Sequence, residues 1–259
     1  MKEYFGEGWR EILAINKLDG FDKLWNLKAE WFEEPNIRRG GWSGVARLEL
    51  KQENGKSVGV FLKRQENHFT KTIAHPVKGI PTFEREFNNI QRFRTKKLHT
   101  VEPVYFGKRK MGGKIQAVLV SKALTGYESL DSVALGRCSK LMSKRVCRER
   151  LIQGVAEVMR EMHKHHFQHN CFYSKHVFAK QHEAGWEIKI IDLEKLKWRL
   201  FKRDAVYRDL YTLHRHAADW SKSDRLRFLK TYMQEDRLSS DSKLIWRSIE
   251  KKIRSKQKS

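Results

Sequence analysis

Val45 to Leu50 alternates strictly, with Ala46, Leu48 and Leu50 on one face and Arg47 and Glu49 on the other. A two-residue period marks a half-buried strand. Asn54-Gly55 follows, a hairpin signal because glycine tolerates positive φ, and Val58 to Lys63 reads as the return strand. After Pro81 and Thr82, apolar side chains recur at helical spacing at Phe83, Phe87 and Ile90, then Phe93 or Arg94, which predicts a helix over Phe83 to Arg94. Val101 to Phe106 and Ile115 to Val120 read as two further strands turned at Met111-Gly112-Gly113. The first 35 residues read as helical and amphipathic, with Trp9, Ile12, Leu13, Leu24, Trp25 and Leu27 available for one face and Pro35 closing the region.

Beyond about residue 125 the pattern becomes helical. Lys144 to His165 carries a stripe of Leu151, Ile152, Val155, Val158, Met159 and Met162. A loop, His169 to His176, precedes two short strands, Val177 to Lys180 and Trp186 to Ile191, joined near Gly185. Helices are predicted over Asp204 to Trp220, Ser223 to Gln234 and Ser239 to Arg254, with Ser223 and Ser240 as N-caps. Strands with one helix come first and helices with a small hairpin come last. This order predicts an α+β, protein-kinase-like bilobal fold: a small β-rich N-lobe with one regulatory-type helix, then a larger helical C-lobe. The expected divisions are a helical extension over 1–35, the N-lobe over 36–122 and the C-lobe over 123–259, with a hinge near Ser121 to Gly126 and a basic tail.

Composition narrows the function. A chain of 259 residues, 39% apolar with 14 Phe and 8 Trp, can bury a substantial core. Its 54 Lys+Arg against 31 Asp+Glu leave a net charge of +23, a field that attracts phosphates, nucleic acid or an anionic membrane face. The basic residues are spread out, with one dense run at Lys251, Lys252, Arg254, Lys256 and Lys258, and no zinc-finger, RNA-recognition or basic-zipper pattern accompanies them. That argues against a nucleic-acid partner. Cys138, Cys147 and Cys171 are too few for a disulfide framework and point to a reducing compartment. Met1 to Asn16 lacks the apolar core of a signal peptide, and no window approaches the ~18 apolar residues of a membrane span. The expected location is cytoplasmic, with peripheral contact at the inner face of the membrane through charge.

Phosphoryl transfer needs a backbone cover for phosphates, a cation on them, an anchor for that cation, metal ligands and a base or positioning group. Arg39-Gly40-Gly41-Trp42-Ser43-Gly44 precedes the first hairpin, and Gly40, Gly41, Ser43 and Gly44 are candidates for the cover, although most glycine clusters are turns. Lys63 ends the return strand on the face of Phe61 and Gly59, with Arg64 on the opposite face. Glu84 or Glu86 of the following helix could pair with Lys63, and the helical face favours Glu86. His169 to His176 matches the kinase catalytic loop H-R-D-x-x-x-x-N, with His169 in the His place, Cys171 in the Asp place and His176 in the metal-binding Asn place. Asp192, just past an apolar run, corresponds to the D-F-G aspartate as a magnesium ligand. Asp209 reads equally as an exposed helix acid and as a buried brace of the catalytic loop.

With these residues in this order, the chain resembles the Kdo/WaaP lipopolysaccharide kinase family, and within it the InaA-like branch. The resemblance rests on Arg39-Gly40-Gly41-Trp42-Ser43-Gly44-Val45, Phe61-Leu62-Lys63, Glu84-Arg85-Glu86-Phe87, His169 to His176, Ile191-Asp192-Leu193, Arg208-Asp209-Leu210 and Ser223 to Leu229, and it covers about residues 36 to 235. It implies ATP and Mg²⁺ as cofactors, and phosphorylation of a hydroxyl on a lipopolysaccharide-core sugar at the cytoplasmic side. It also implies a His at position 176 as a family trait. Cys171 departs from the heptose kinases, which keep an Asp there, and resembles the InaA-like branch.

Two functions stay open on this reading: an ATP-dependent phosphotransferase, or a pseudokinase that binds nucleotide or a partner without efficient transfer because Cys171 replaces the catalytic Asp. A thiol with pKa ~8.5 is a poor substitute for a carboxylate. Nearby Lys175, His169 and the helix field could lower that pKa, and Asp209 or Glu194 are alternative bases. A zinc site among His163, His165, His166, His169, Cys171 and His176 lacks paired motifs, and most of these histidines are expected on the surface or in loops. A Cys171/His169 hydrolase dyad lacks an oxyanion-hole motif.

Overall fold

The computed structural model describes residues 3–38, 40–72, 75–131, 145–183, 185–217 and 219–257. Arg39, Cys138, Lys144 and Lys258 lie outside them. The chain divides into two compact units. The first runs to Arg92 and resumes over Val101–Thr125; the second takes Phe93–Thr100 and the chain from Gly126 onward.

The first unit is built on β1 (Tyr4–Phe5), α1 (Trp9–Ile15), α2 (Phe21–Asn26), β2 (Glu33–Arg38), β3 (Gly41–Lys51), β4 (Ser57–Glu66), the short pair β5 (Phe69–Thr70) and β6 (Ile80–Pro81), α3 (Thr82–Thr95, its last turn in the second unit), β7 (Pro103–Met111) and β8 (Lys114–Lys122). Six strands pair in the order β1-β7-β8-β4-β3-β2, all antiparallel. β4 and β8 are apolar on both faces, so the sheet needs a cover on each side. Trp9, Leu13, Phe21 and Leu24 of α1 and α2 bury against Leu50, Val60, Leu62, Val104, Val118 and Val120, worth about 1.5–3 kcal/mol for each large side chain. On the opposite face Phe87 of α3 stacks on Phe106 at 4.5 Å.

Residues 3–35 are therefore part of this unit's sheet and core, where a helical extension was expected. β1 pairs with β7, and Pro35 lies inside a strand. Proline is accepted there because β2 is an edge strand and its register shifts between Glu33 and Asn36. The helices end earlier, at Asn26. At the first hairpin Gly55 takes φ +75°, and Asn54 Oδ1 accepts from the Lys56 N–H at 3.0 Å.

The second unit contains β9 (Glu128–Ser129), α4 (Arg145–Lys164), β10 (Phe167–Gln168), β11 (Val177–His182), β12 (Gly185–Ile190), β13 (Lys197–Trp198), α5 (Lys202–His216), α6 (Lys222–Met233) and α7 (Ser240–Gln257). The stripe of α4 is buried at Leu151, Ile152, Val155, Ala156, Met159 and Met162. β11 and β12 form a hairpin extended by β9, and β10 pairs with β13. The N-cap of α6 is Ser221, not Ser223: its Oγ accepts from the Asp224 N–H and Asp224 returns a bond to the Ser221 N–H, a reciprocal capping box. Ser239, not Ser240, caps α7, accepting from the Ser242 N–H at 3.2 Å. In both cases the acceptor sits three residues before the amide it serves, which moves the cap outside the first helical residue. Burial opposes ionisation of Asp224, but Arg148, 2.8 Å away, and Ser221 outweigh it and hold the carboxyl below its usual range.

His214 of α5 is buried among the rings of Trp220, Phe228 and Trp246. Burial, reinforced by the Arg225 guanidinium, pushes its pKa down to about 3.

Candidate active site

The first unit carries one group of candidate residues. Lys63 Nζ donates to Glu86 Oε1 at 2.6 Å, with the Glu86 side chain only 4% exposed. Glu84 instead pairs with Lys108. Two-residue alternation aims Lys63 to the α3 face of β4. Arg64 points to the other face, where its Nη1 donates to the carbonyls of Trp25 and Leu27, both at 2.7 Å. Burial draws the Arg64 pKa down from its ordinary value, and its guanidinium lies 4.7 Å from the centre of the Trp31 ring.

The glycines divide between packing and turn. Gly41, Trp42, Ser43 and Gly44 sit in β3, paired to β2 at Gly41 to Ser43 and to β4 at Trp42 to Gly44. A Cβ on Gly41 would fall 2.4 Å from the backbone of Asn67, and one on Gly44 would fall 2.5 Å from the Trp31 ring. These two glycines are required by close approach of neighbouring chain. Gly40 lies outside the ladder, at φ +74° with open space around its α-carbon.

The second unit carries the other group. Asp209, fully buried on α5, accepts from the backbone N–H of His169 at 2.7 Å and of Asn170 at 2.9 Å. His163 Nε2 approaches the same carboxylate at 3.2 Å, and its Nδ1 meets the Tyr232 hydroxyl at 2.7 Å. These bonds hold Asn170 in a left-handed conformation, φ +67°, which costs a non-glycine residue about 1–3 kcal/mol. As a brace Asp209 is in position; as a base it is out of reach, because it is enclosed and its oxygens are already engaged.

The ring of His169 is also buried. Its Nε2–H donates to the Ile191 carbonyl at 3.0 Å, while Nδ1 accepts the Cys171 N–H at 3.3 Å. This fixes the neutral tautomer, and burial draws the imidazole pKa below its ordinary value. The ring thus faces the Cys171 backbone rather than its thiol, which removes the hydrolase dyad. Cys171 is 7% exposed, and burial pushes its thiol pKa up. Neither Lys175, which is exposed, nor His169 lowers it; burial outweighs the nearby Lys195. At neutral pH Cys171 is a thiol.

His176 donates through Nδ1–H to the Cys171 carbonyl at 2.9 Å, and its Nε2 lies 3.4 Å from Asp192 Oδ2. Asp192 itself is left-handed, φ 58° and ψ 58°, with its side chain 40% exposed. The strand that delivers it is pinned by the Ile191 N–H to the His176 carbonyl at 2.9 Å and by the Thr100 hydroxyl to the Ile190 carbonyl at 2.6 Å. An imidazole nitrogen and a carboxylate oxygen face each other here. One carboxylate oxygen and one imidazole nitrogen fit a divalent ion that completes its shell with phosphate oxygens and water.

His163 is buried on α4, against the expectation of a surface or loop position, and His169 is buried within the expected loop. The role of His163 behind Asp209 had a signal in the sequence: Val155, Met159 and His163 fall at successive four-residue steps on the buried stripe of α4. Tyr232 had none, because the contact joins α4 to α6 across 69 residues.

A family model described as lipopolysaccharide kinase (Kdo/WaaP) family matches residues 22–232. The chain is 31% identical over 209 residues to Protein InaA of Escherichia coli K12, covering 80% of this chain and 93% of that protein. It is 28% identical over 247 residues to the lipopolysaccharide core heptose(I) kinase WaaP of Escherichia coli, covering 90% and 86%. A solved structure of WaaP in complex with acyl carrier protein superposes with a TM-score of 0.70 at 20% identity, over 98% of this chain and 99% of that one. The fold is therefore kinase-like, sheet-rich in its N-terminal region and helical in its C-terminal region, and the chain belongs to the lipopolysaccharide kinase (Kdo/WaaP) family.

Proposed function

We propose that the chain is an ATP-dependent phosphotransferase acting on a hydroxyl of a lipopolysaccharide-core sugar or a similar anionic sugar, at the inner face of the membrane. Family membership supports a kinase-type phosphotransferase. The observation that carries the reading is the His176–Asp192 pair, an imidazole nitrogen 3.4 Å from a carboxylate oxygen at the end of the β11–β12 hairpin. Bound magnesium and ATP supply the phosphoryl group and neutralise its charge. In this reading Asp192 and His176 hold the metal, and Lys63, oriented by Glu86, contacts the phosphates. The turn at Gly40 covers them. Asp209 and His169 act as positioning residues: Asp209 shapes the loop through its backbone amides, and His169 ties that loop to the segment of Asp192.

A second reading has its own observation. The Cys171 thiol is buried and its pKa is raised, so it takes no proton from an acceptor hydroxyl at neutral pH. Either transfer runs on positioning and electrostatics alone, or the chain binds nucleotide as a pseudokinase. Thermal stabilisation by Mg-ATP, compared with ATP alone, tests the shared part. A magnesium-dependent rise in Tm that is lost in Lys63→Ala and Asp192→Ala is expected; no rise at saturating nucleotide refutes both readings. Cys171→Asp then separates them. Higher phosphate release in that variant, over a measurable parent rate, supports the transferase. Binding without turnover in the parent supports the pseudokinase.

A further inference from the structure

Single exposed apolar side chains are ordinary on a protein surface. Residues 198–201 are not of that kind. Trp198, Leu200 and Phe201 are 55%, 66% and 70% exposed, three large apolar groups within four residues. Lys195, Lys197, Arg199, Lys202 and Arg203 are interleaved with them, and no acid occurs between 195 and 203. All but Arg199 of these cations are exposed.

The segment is held, not loose. β13 pairs with β10, Trp198 opposite Phe167. The Arg199 N–H donates to the His166 carbonyl at 2.8 Å, and His166 Nδ1–H returns a bond to the Arg199 carbonyl at 2.9 Å. Arg199 Nε also donates to Gln168 Oε1. The His166 ring stacks on Trp198, 5.7 Å between centres and 20° between planes. Leu193 and Leu196 are buried and anchor the approach. A fixed backbone thus presents an apolar tip ringed by ammonium and guanidinium groups.

We propose that residues 195–203 form the surface by which this chain docks on an anionic lipid bilayer, with Trp198, Leu200 and Phe201 entering the headgroup boundary and Lys195, Lys197, Lys202 and Arg203 meeting lipid phosphates. Interfacial segments combine an inserted apolar face with flanking cations, and tryptophan favours that depth. A purely electrostatic partner leaves Leu200 and Phe201 unexplained; a nucleic acid is read by stacking aromatics and has no use for an exposed leucine. The C-terminal run on α7 offers charge with less apolar surface: Leu244 is exposed there, 60%, while Ile249 is buried. The inference rests on the peripheral membrane location proposed above and not on phosphate transfer.

Flotation of the full chain with phosphatidylcholine vesicles, with and without phosphatidylglycerol, tests it. The parent should float with the anionic vesicles, and added salt should weaken binding without abolishing it. Leu200→Ser/Phe201→Ser should bind at least about tenfold more weakly with no loss of Tm, because residue 201 is the N-cap of α5, where serine is favoured. Lys202→Gln/Arg203→Gln should bind more weakly at low salt and lose less of that binding as salt is added. Lys251→Gln/Lys252→Gln/Arg254→Gln should float like the parent. If Leu200→Ser/Phe201→Ser floats as well as the parent while the α7 variant does not, the segment is wrong and the membrane location stands. A parent that never floats overturns both, as does retention by an acidic protein such as acyl carrier protein under conditions where anionic vesicles bind none.

Discussion

Asp209→Asn is the sharpest test of how the catalytic-type loop is held. The substitution keeps the shape of the side chain, removes its charge and turns one acceptor into a donor. Wild-type Asp209 accepts from the His169 and Asn170 amides at 2.7 and 2.9 Å and from His163 at 3.2 Å, in a fully buried site. The asparagine oxygen can serve one of the two backbone amides; its NH₂ faces the other. Losing one charge-assisted bond costs about 1.5–3 kcal/mol, and the buried donor left facing a donor adds about 1–3 kcal/mol. In a chain of this size one kcal/mol moves Tm by about 2–4 °C, so the variant should melt at least about 5 °C lower. The loss should be local in origin. Hydrogen exchange at the His169, Asn170 and Cys171 amides should accelerate more than at the core of α4. A Tm within about 2 °C of the parent, with unchanged exchange at His169 and Asn170, refutes the brace.

Other expectations follow from particular contacts. His214 has a pKa of about 3 in the folded chain against ~6.5 unfolded. The unfolded chain therefore takes its proton first; stability is intact above about pH 6.5 and is lost as pH falls toward 3, by up to roughly 5 kcal/mol. His214→Phe, in a site already lined by three aromatic rings, should flatten the acid limb of Tm against pH; limbs of equal slope refute this. Gly44→Ala should destabilise by about 1–3 kcal/mol, because its Cβ would meet the Trp31 ring. The double variant Gly44→Ala/Trp31→Ala should be less than additive in denaturant titrations, and additive losses would remove the clash as the cause. Ser221→Ala should cost about 1 kcal/mol in the same titrations through loss of the α6 cap, whereas Ser223→Ala should cost much less.

Local periodicity was enough for most elements. The alternation in β3, the i, i+3, i+4 spacing of α3 and the stripe of α4 each reflect a single face turned to a core, which needs only neighbours in sequence. The spacing of His169, Cys171, His176 and Asp192 likewise carried the family resemblance, because the chemistry of a catalytic loop is confined to a short run of chain. Arg64 was legible only as a residue opposite Lys63; that its charge is met by two carbonyls and an indole depends on where α2 ends.

The linear order of apolar and polar residues by itself determined the strand-rich first half, the helical second half and the candidate positions for phosphate and metal. Tertiary structure decided the rest. It placed α1 and α2 over a second face of the sheet and put Pro35 in an edge strand. It buried His163 and His169, made Asp209 a brace and left Cys171 a thiol. The reason is common to all of these: burial and hydrogen-bond partners come from residues distant along the chain, and desolvation, which sets the protonation of a thiol or an imidazole, is a property of that packed environment.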